Sequence, residues 1–424
     1  MKLTLGQIRR VILLITFALF FIGLGYSLGQ NDFEVRLVGL KPEVAINRRL
    51  PPSKAKVNFD LFWQVWDQLA ANYLDRRNLD QAKMVYGAIS GMVASLGDPY
   101  TVFLPPEENK QSKEDLSGSF EGVGIQLGYK NERLAVIAPL VGMPAEAAGV
   151  KAGDYITRIV DETQKIDRDT TSLSLPEAVT LIRGPKGSVV KLTFAREGMK
   201  EPFTLTLKRE TIVVKSVELK FIDKDGKKVA QLKLTRFGER TAQEWEAAIQ
   251  KIRSTKSEIR NFAGIILDVR NNPGGFLSGS VYIASEFLPS GIVVLQDKGT
   301  DGRESFSVDR QGSLLNDPLV VLINQGSASA SEIVAGVLQE RKRAKVVGEK
   351  SFGKGTIQEA QDLGEGAGLH VTVARWLLPS GKSIDKEGVK PDVEVKKDEN
   401  DLSADKAGQT KDLQLDQAVQ LLTK

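Results

Sequence analysis

The sequence contains no cysteine and a single histidine, His370, among its 424 residues. Without thiols there is no cysteine nucleophile, no Cys-ligated zinc and no disulfide. With one imidazole, a multi-histidine metal centre is excluded as well. Hydrolytic chemistry in this chain must therefore run on Ser, Thr, Lys, Asp or Glu, or depend on that lone His. No metal and no cofactor are expected. An excess of one charge is also missing: 58 Lys and Arg against 54 Asp and Glu leave a net +4. No Lys/Arg-rich run with interleaved aromatics occurs, so nucleic acid is not an expected partner. The length allows two or three domains and a sizeable core.

Long apolar runs are scarce too, with one exception. Residues 11–29 carry no charge and follow Lys2, Arg9 and Arg10. Such a run is long enough to cross a hydrocarbon layer of ~30 Å as a helix. Its positive flank keeps residues 1–10 in the cytoplasm and sends the rest across. The competing reading is a cleaved signal peptide. Gly25-Tyr26-Ser27 does place small residues two apart, but no Ala-x-Ala pair follows. The expectation is a transmembrane signal anchor with an extracytoplasmic catalytic part, in the periplasm, at the cell surface or in a thylakoid lumen.

Residues 30–56 mix polar, charged and Pro residues and read as a linker. Residues 57–112 form an N-terminal helical region. Phe59, Phe62, Val65, Trp66 and Leu69, then Met84, Ile89, Met92 and Val93, recur there at helical spacing, and helix packing is the plain reading of the aromatics. Residues 113–209 change character: short β-type runs at 134–137, 155–160, 189–194 and 203–207 surround one helical segment at 175–182. Residues 210–395 alternate strands (228–234, 264–269, 319–323) with helices (242–252, 279–287, 331–340), the pattern of a layered α/β core. Residues 396–424 are a charged connection and a last amphipathic helix.

Four segments could carry chemistry. Asn324-Gln325-Gly326-Ser327-Ala328-Ser329-Ala330-Ser331-Glu332 follows a buried strand and opens a helix. A hydroxyl there lies near helix N–H groups able to stabilise an oxyanion. Ser329 and Glu332 also have the spacing of a capping box, and from this segment alone helix capping is the stronger reading. Gly348-Glu349-Lys350-Ser351-Phe352-Gly353-Lys354-Gly355-Thr356 imitates a phosphate loop, but Gly355 stands where Ser or Thr should bind magnesium. Lys354 and Gln358, four apart, would share one face of an extended strand. Leu267-Asp268-Val269-Arg270-Asn271-Asn272-Pro273-Gly274-Gly275 runs into a turn whose N–H groups could form half of an oxyanion hole, or are simply a loop. Gly122-Val123-Gly124-Ile125 could cradle a peptide's terminal carboxylate, although lone turns of this kind are common.

Together these segments resemble the carboxy-terminal processing peptidases, or tail-specific serine proteases, over almost all of the chain after the anchor. Leu96-Gly97-Asp98-Pro99-Tyr100-Thr101 looks like that family's opening motif. Pro144-Ala145-Glu146-Ala147-Ala148-Gly149, Lys151-Ala152-Gly153-Asp154 and Leu181-Ile182-Arg183-Gly184 look like its PDZ domain. The DVRNNPGG, SASASEI and EKSFGKG segments look like its catalytic core, in the right order. The resemblance implies a multidomain α/β protein: a ClpP/crotonase-like layered core with an inserted PDZ domain. It implies Ser329 as nucleophile, Lys354 as base, Gln358 as support for the lysine, and an oxyanion hole on Ala330 and one of Gly274 or Gly275. Gly122, Val123, Gly124 and Ile125 would bind peptide, and Arg183 would couple the PDZ domain to the active site. The partners implied are protein substrates with exposed C-terminal tails, the membrane through the N-terminal helix, and a homo-oligomer or an activating adaptor.

Three rivals remain to be tested. His370 could be the base, although its alternating surroundings read as a strand. The chain could be a catalytically idle PDZ adaptor, against which the intact Ser329, Lys354 and Gln358 set argues. A nucleotide-binding protein fails on Gly355.

Overall fold

The computed structural model describes residues 58–396 and 412–424, together with two short strands, β1 (Phe33–Val38) and β2 (Lys41–Ile46), paired antiparallel. The expected membrane-spanning run at 11–29 and most of the charged connection (397–411) lie outside the described residues. Among the described residues no helix is long and apolar enough to cross a membrane. The chain divides into two compact units, residues 1–84 and 85–424.

In the first unit, helix α1 (Asp60–Asn72) has no buried residue. Phe59, Phe62, Trp63 and Trp66 stack on one another, with ring centroids 5.0 to 6.2 Å apart. The spacing correctly marks an apolar stripe, but these rings pack within their own helix rather than into a core. Periodicity reports a face, not what covers it. Helix α2 (Gln81–Ala94) crosses the division between the units.

The second unit begins with a turn at 97–101, strand β3 (Val102–Leu104) and helix α3 (Pro106–Ser117). Pro106 opens that helix where its missing N–H costs nothing, Glu107 and Glu108 suit the positive helix end, and Gly118 closes it at φ 69°. Helix α3 runs through 112/113, where the sequence pattern placed a boundary. Strand β4 (Ser119–Gly122) then leads into a sheet of β5 (Ile125–Lys130), β6 (Arg133–Pro139), β7 (Tyr155–Asp161), β8 (Ile166–Asp169), β9 (Val189–Ala195) and β10 (Phe203–Lys208). A short helix α4 (Pro144–Ala147) and helix α5 (Leu175–Ile182) complete the module. Its own core includes Leu134, Ile156, Ile159, Ala178, Leu192 and Phe194. The chain leaves through β11 (Glu210–Val213), which pairs antiparallel with β4. Entry and exit thus share one two-stranded neck, the geometry of an inserted domain.

The core sheet runs β12 (Val217–Lys224), β13 (Lys227–Leu234), β14 (Phe262–Asp268), β17 (Leu319–Ile323), β18 (Lys345–Gly348), β21 (Val393–Glu394), and every pair after the first is parallel. Leu319, Val321 and Ile323 face a cluster with helices α6 (Thr241–Glu258), α7 (Leu277–Ser285) and α8 (Ala330–Glu340). Val320 and Leu322 face Ala418 and Val419 of helix α9 (Leu413–Thr423). Burial on both faces explains why this strand reads as an unbroken apolar run. A second, antiparallel sheet runs β16 (Arg303–Ser307), β15 (Ile292–Asp297), β20 (Gly368–Leu377), β19 (Thr356–Asp362), with β3 added to β20.

Candidate active site

Strands β14 and β17 are parallel neighbours, so the loops leaving their carboxyl ends meet, as ligand sites do in open α/β sheets. Three serines follow β17, and their surroundings differ. Ser327 and Ser331 are fully buried. The Ser327 hydroxyl donates to the Val269 carbonyl (2.8 Å) and accepts the Asn324 N–H (3.0 Å). The Ser331 hydroxyl donates to the Asn272 carbonyl (2.9 Å). Both bind the 269–272 loop to the start of α8. Ser329 sits between them in a conformation unfavourable for an L-residue (φ 55°, ψ −116°), and its hydroxyl makes no cap hydrogen bond. The expected capping box is present: the Ser329 N–H donates to Glu332 Oε2 (2.8 Å), and the Ser329 side chain faces the Glu332 N–H, whose hydrogen bond runs to the Ser329 carbonyl (2.8 Å). Unlike its two neighbours, the Ser329 hydroxyl is not engaged by the 269–272 loop.

Lys354 follows β18 in the glycine-flanked loop, and no helix follows it, as the failed phosphate loop implied. The loop is narrow for a stated reason. A Cβ on Gly353, at φ 92°, would meet Gly388 N at 2.9 Å, and one on Gly355 would press on Asp385. The Lys354 N–H donates to Glu332 (2.9 Å) and its carbonyl accepts the buried Trp376 indole N–H (2.8 Å), so the backbone is held from both ends. Burial pushes the Lys354 ammonium below the ordinary lysine value, opposed by the Asp98 and Glu332 charges.

Glu332 is the residue whose role the sequence pattern understated. Its carboxylate is wholly buried and accepts four donors: Ser329 N, Lys354 N, Gly353 N (2.6 Å) and the Ser351 hydroxyl (2.6 Å). One carboxylate therefore sets the backbone of both the serine and the lysine. Its spacing from Ser329 was the visible signal, read there only as a cap.

Ser329, Ala330, Gly274, Gly275, Lys354, Gln358 and His370 line one cleft of about 890 Å³, walled on another side by Gln111 and Asp115 of α3. No hydrogen bond joins Lys354 Nζ to Ser329 among the described residues. Gln358 directs its amide donors to the Thr356 and Thr372 hydroxyls (2.9 and 3.0 Å) rather than to Lys354. Lys354 precedes β19 instead of lying in it, so the shared-face argument from extended spacing does not apply; a bulge beside Gln358 shifts the register further. His370 is a strand residue, paired with Ala360 and Val102. Burial, helped by the Lys354 cation, holds its imidazole below the ordinary value.

The glycine turn separates its two candidates. A Cβ on Gly274 would lie 2.8 Å from the Ser329 Cβ, so only glycine lets the turn back onto the serine. The Gly274 N–H, however, already donates to Asn272 Oδ1 (2.9 Å). In the inserted module, Gly122 ends β4 and Gly124 (φ 75°) precedes β5, the outermost strand of its sheet, with α5 packed beside it. Arg183, at the end of α5, lies over the Phe120 ring (4.2 Å) and pairs with Glu114 of α3 at 2.9 Å. The site residues thus fall into two groups: seven in the cleft, and the 122–125 turn with Arg183 in the module.

A family model described as peptidase family S41 matches residues 228–395, a PDZ domain model matches 111–195, and a model of the activating protease CtpB N-terminal domain matches 41–108. The chain is 35% identical over 337 residues to the carboxy-terminal processing protease CtpA of Bacillus subtilis, covering 80% of this chain and 69% of that one. It is 39% identical over 321 residues to the carboxy-terminal-processing protease of Bartonella bacilliformis, covering 74% and 70%. The chain belongs to peptidase family S41. This S41 member carries a PDZ domain, as expected, and is a serine-type protease of the carboxy-terminal processing group. A putative S41 protease from Bacteroides fragilis shares the fold at a TM-score of 0.50 and 18% identity, over 78% of this chain and 90% of that one.

Proposed function

We propose that this S41 protease cleaves proteins near exposed C-termini, with Ser329 as nucleophile and Lys354 as general base. The observation that carries this reading is the contrast among the three serines: two hydroxyls are spent on the 269–272 loop, and the third makes no cap hydrogen bond, sits on a strained backbone and lies in the cleft with a desolvated lysine. Neutral Lys354 takes the Ser329 proton as Oγ attacks the scissile carbonyl. The protonated lysine then gives that proton to the departing amine, and a water, deprotonated in turn by Lys354, hydrolyses the acyl-enzyme. The Ala330 N–H at the start of α8 is one oxyanion donor. Gly275 supplies the other, because the Gly274 N–H is committed to Asn272. Gln358 acts through its two threonines on the shape of the lysine pocket.

The free edge of β5, flanked by α5, suits an added peptide strand, with the turn at Gly122, Val123, Gly124 and Ile125 receiving the terminal carboxylate. Arg183, tied to Glu114 on a helix that also walls the cleft, supports a regulatory link between tail capture and catalysis. The layered core with its inserted module fits a ClpP/crotonase-like fold. The apolar run at 11–29 supports a membrane anchor with the protease outside the cytoplasm, and the uncovered apolar side chains of α1 support self-association or an adaptor. The test is a fluorogenic peptide with a free C-terminal carboxylate, compared with its C-terminal amide. Cleavage is expected to favour the free acid and to vanish in Ser329→Ala and Lys354→Ala. Cleavage retained by either variant refutes the dyad, and tail binding without cleavage by the wild type would leave the idle adaptor.

A further inference from the structure

The turn at 97–101 was singled out in the sequence, yet neither the nucleophile, the base nor the oxyanion donors account for it. It is firmly built. Asp98 accepts the Tyr100 N–H (3.0 Å) and the Thr101 hydroxyl (2.7 Å). The buried Thr101 hydroxyl in turn accepts the Thr372 N–H of β20 (3.0 Å), and β3 continues as a strand beside β20. The Thr372 hydroxyl that accepts from Gln358 also faces Asp98 and helps hold its carboxyl below the ordinary range. All this scaffolding delivers one side chain to the cleft. The Lys354 Nζ lies 4.9 Å from the centroid of the Tyr100 ring, within cation–π reach.

We infer that Tyr100 is a positioning residue for the base: its ring face seats the Lys354 ammonium, fixing where the lysine waits and opposing its deprotonation. The inference rests on the Ser329–Lys354 reading above. Lys354 Nζ makes no ion pair or hydrogen bond among the described residues, so the ring is the contact that orients it. A ring quadrupole favours the cation over the neutral amine. It therefore works against burial, as do the Asp98 and Glu332 carboxylates, while burial and the Lys354 cation push the neighbouring His370 below the ordinary imidazole value. Asp385, Glu332 and Asp98 also face Tyr100, and together with burial they keep its phenol protonated, which preserves the ring's neutral face. On deprotonation the amine loses its attraction to the ring and is released toward Ser329. The tyrosine is thus a seat from which the base departs when it becomes competent.

The experiment is the pH dependence of kcat and kcat/KM for the wild type, Tyr100→Phe, Tyr100→Leu and Tyr100→pentafluorophenylalanine, the last having the same shape with its quadrupole reversed. Tyr100→Phe should leave the acidic limb in place. Tyr100→Leu and the pentafluoro variant should move it to lower pH by about 0.5 to 1 unit, as loss of a half-buried cation–π contact implies, while plateau kcat, reached with the neutral amine already released from the ring, should stay within about threefold. Thermal melts identify any variant that fails to fold; the pentafluoro variant, nearly isosteric with phenylalanine, decides if Tyr100→Leu does not. An acidic limb that coincides in the phenylalanine and pentafluorophenylalanine variants overturns the inference. Activity surviving in Lys354→Ala overturns the dyad instead, so the two failures are distinct.

Discussion

Replacing each of the three serines by alanine should give three different results. The Ser329 hydroxyl makes no cap hydrogen bond and only faces the Glu332 N–H, which is already bonded to the Ser329 carbonyl, so Ser329→Ala should shift the melting temperature by no more than about 2 °C. Activity should fall by roughly 10⁴- to 10⁶-fold, as when the nucleophile of a serine hydrolase is removed. Ser331→Ala removes one of the two donors to the Asn272 carbonyl, which keeps the Ala328 N–H, at a cost of about 1 kcal/mol. Ser327→Ala strands both the Val269 carbonyl and the Asn324 N–H, at about 2–4 kcal/mol. With about 2–4 °C lost per kcal/mol in domains of this size, the order of melting should be Ser329→Ala, then Ser331→Ala, then Ser327→Ala. Activity per folded molecule in the last two should stay within roughly tenfold of wild type, because the 269–272 loop shifts without losing the nucleophile. Differential scanning fluorimetry and a fluorogenic peptide assay, normalised to folded protein, measure both. The reasoning is refuted if Ser329→Ala keeps more than about 1% of activity. It fails equally if Ser327→Ala or Ser331→Ala abolishes cleavage without lowering stability.

Glu332→Gln replaces a carboxylate oxygen by an amide that can only donate, facing either the Ser329 and Lys354 N–H groups or the Gly353 N–H and the Ser351 hydroxyl. The expected cost is about 2–4 kcal/mol, with a loss of kcat larger than any change in KM, read by steady-state kinetics and thermal melts; an unchanged kcat would contradict the hub role. In the PDZ domain, burial pushes Asp154 and Asp161 up, but Arg196 and Arg209, with backbone N–H groups, hold both below the ordinary value of 3.8. Their stabilisation is therefore complete above pH 3.8 and is lost as pH falls through the lower folded-state values. Acid titration followed by circular dichroism should show the wild type losing stability in that window and Asp161→Asn showing a shallower dependence.

Much of the fold was legible because burial writes itself into spacing. The run at 319–323 and the helix at 175–182 were placed at their observed ends. Harder to read were β12, β16, β19 and helix α3, whose exposed residues blur any period. The aromatics of α1 show the same limit from the other side, since an apolar stripe looks alike whether or not it is covered.

The sequence by itself determined the chemistry that was possible. With no cysteine and one histidine, it left hydroxyls and lysines, and the order of its motifs placed the family. The segment's own residues did not choose among Ser327, Ser329 and Ser331, because all three have the same side chain; the resemblance pointed to Ser329. The tertiary structure adds a physical distinction through residues more than fifty positions away: the loop after β14 engages the Ser327 and Ser331 hydroxyls and not that of Ser329, which supports the proposed assignment. Glu332 shows the same division. Its nearness to Ser329 is local and was read as a cap, whereas its grip on Lys354 exists only once β18 returns beside β17. Local spacing can name candidate hydroxyls; long-range hydrogen bonding tells apart side chains that are identical in sequence, because only folding brings their partners beside them.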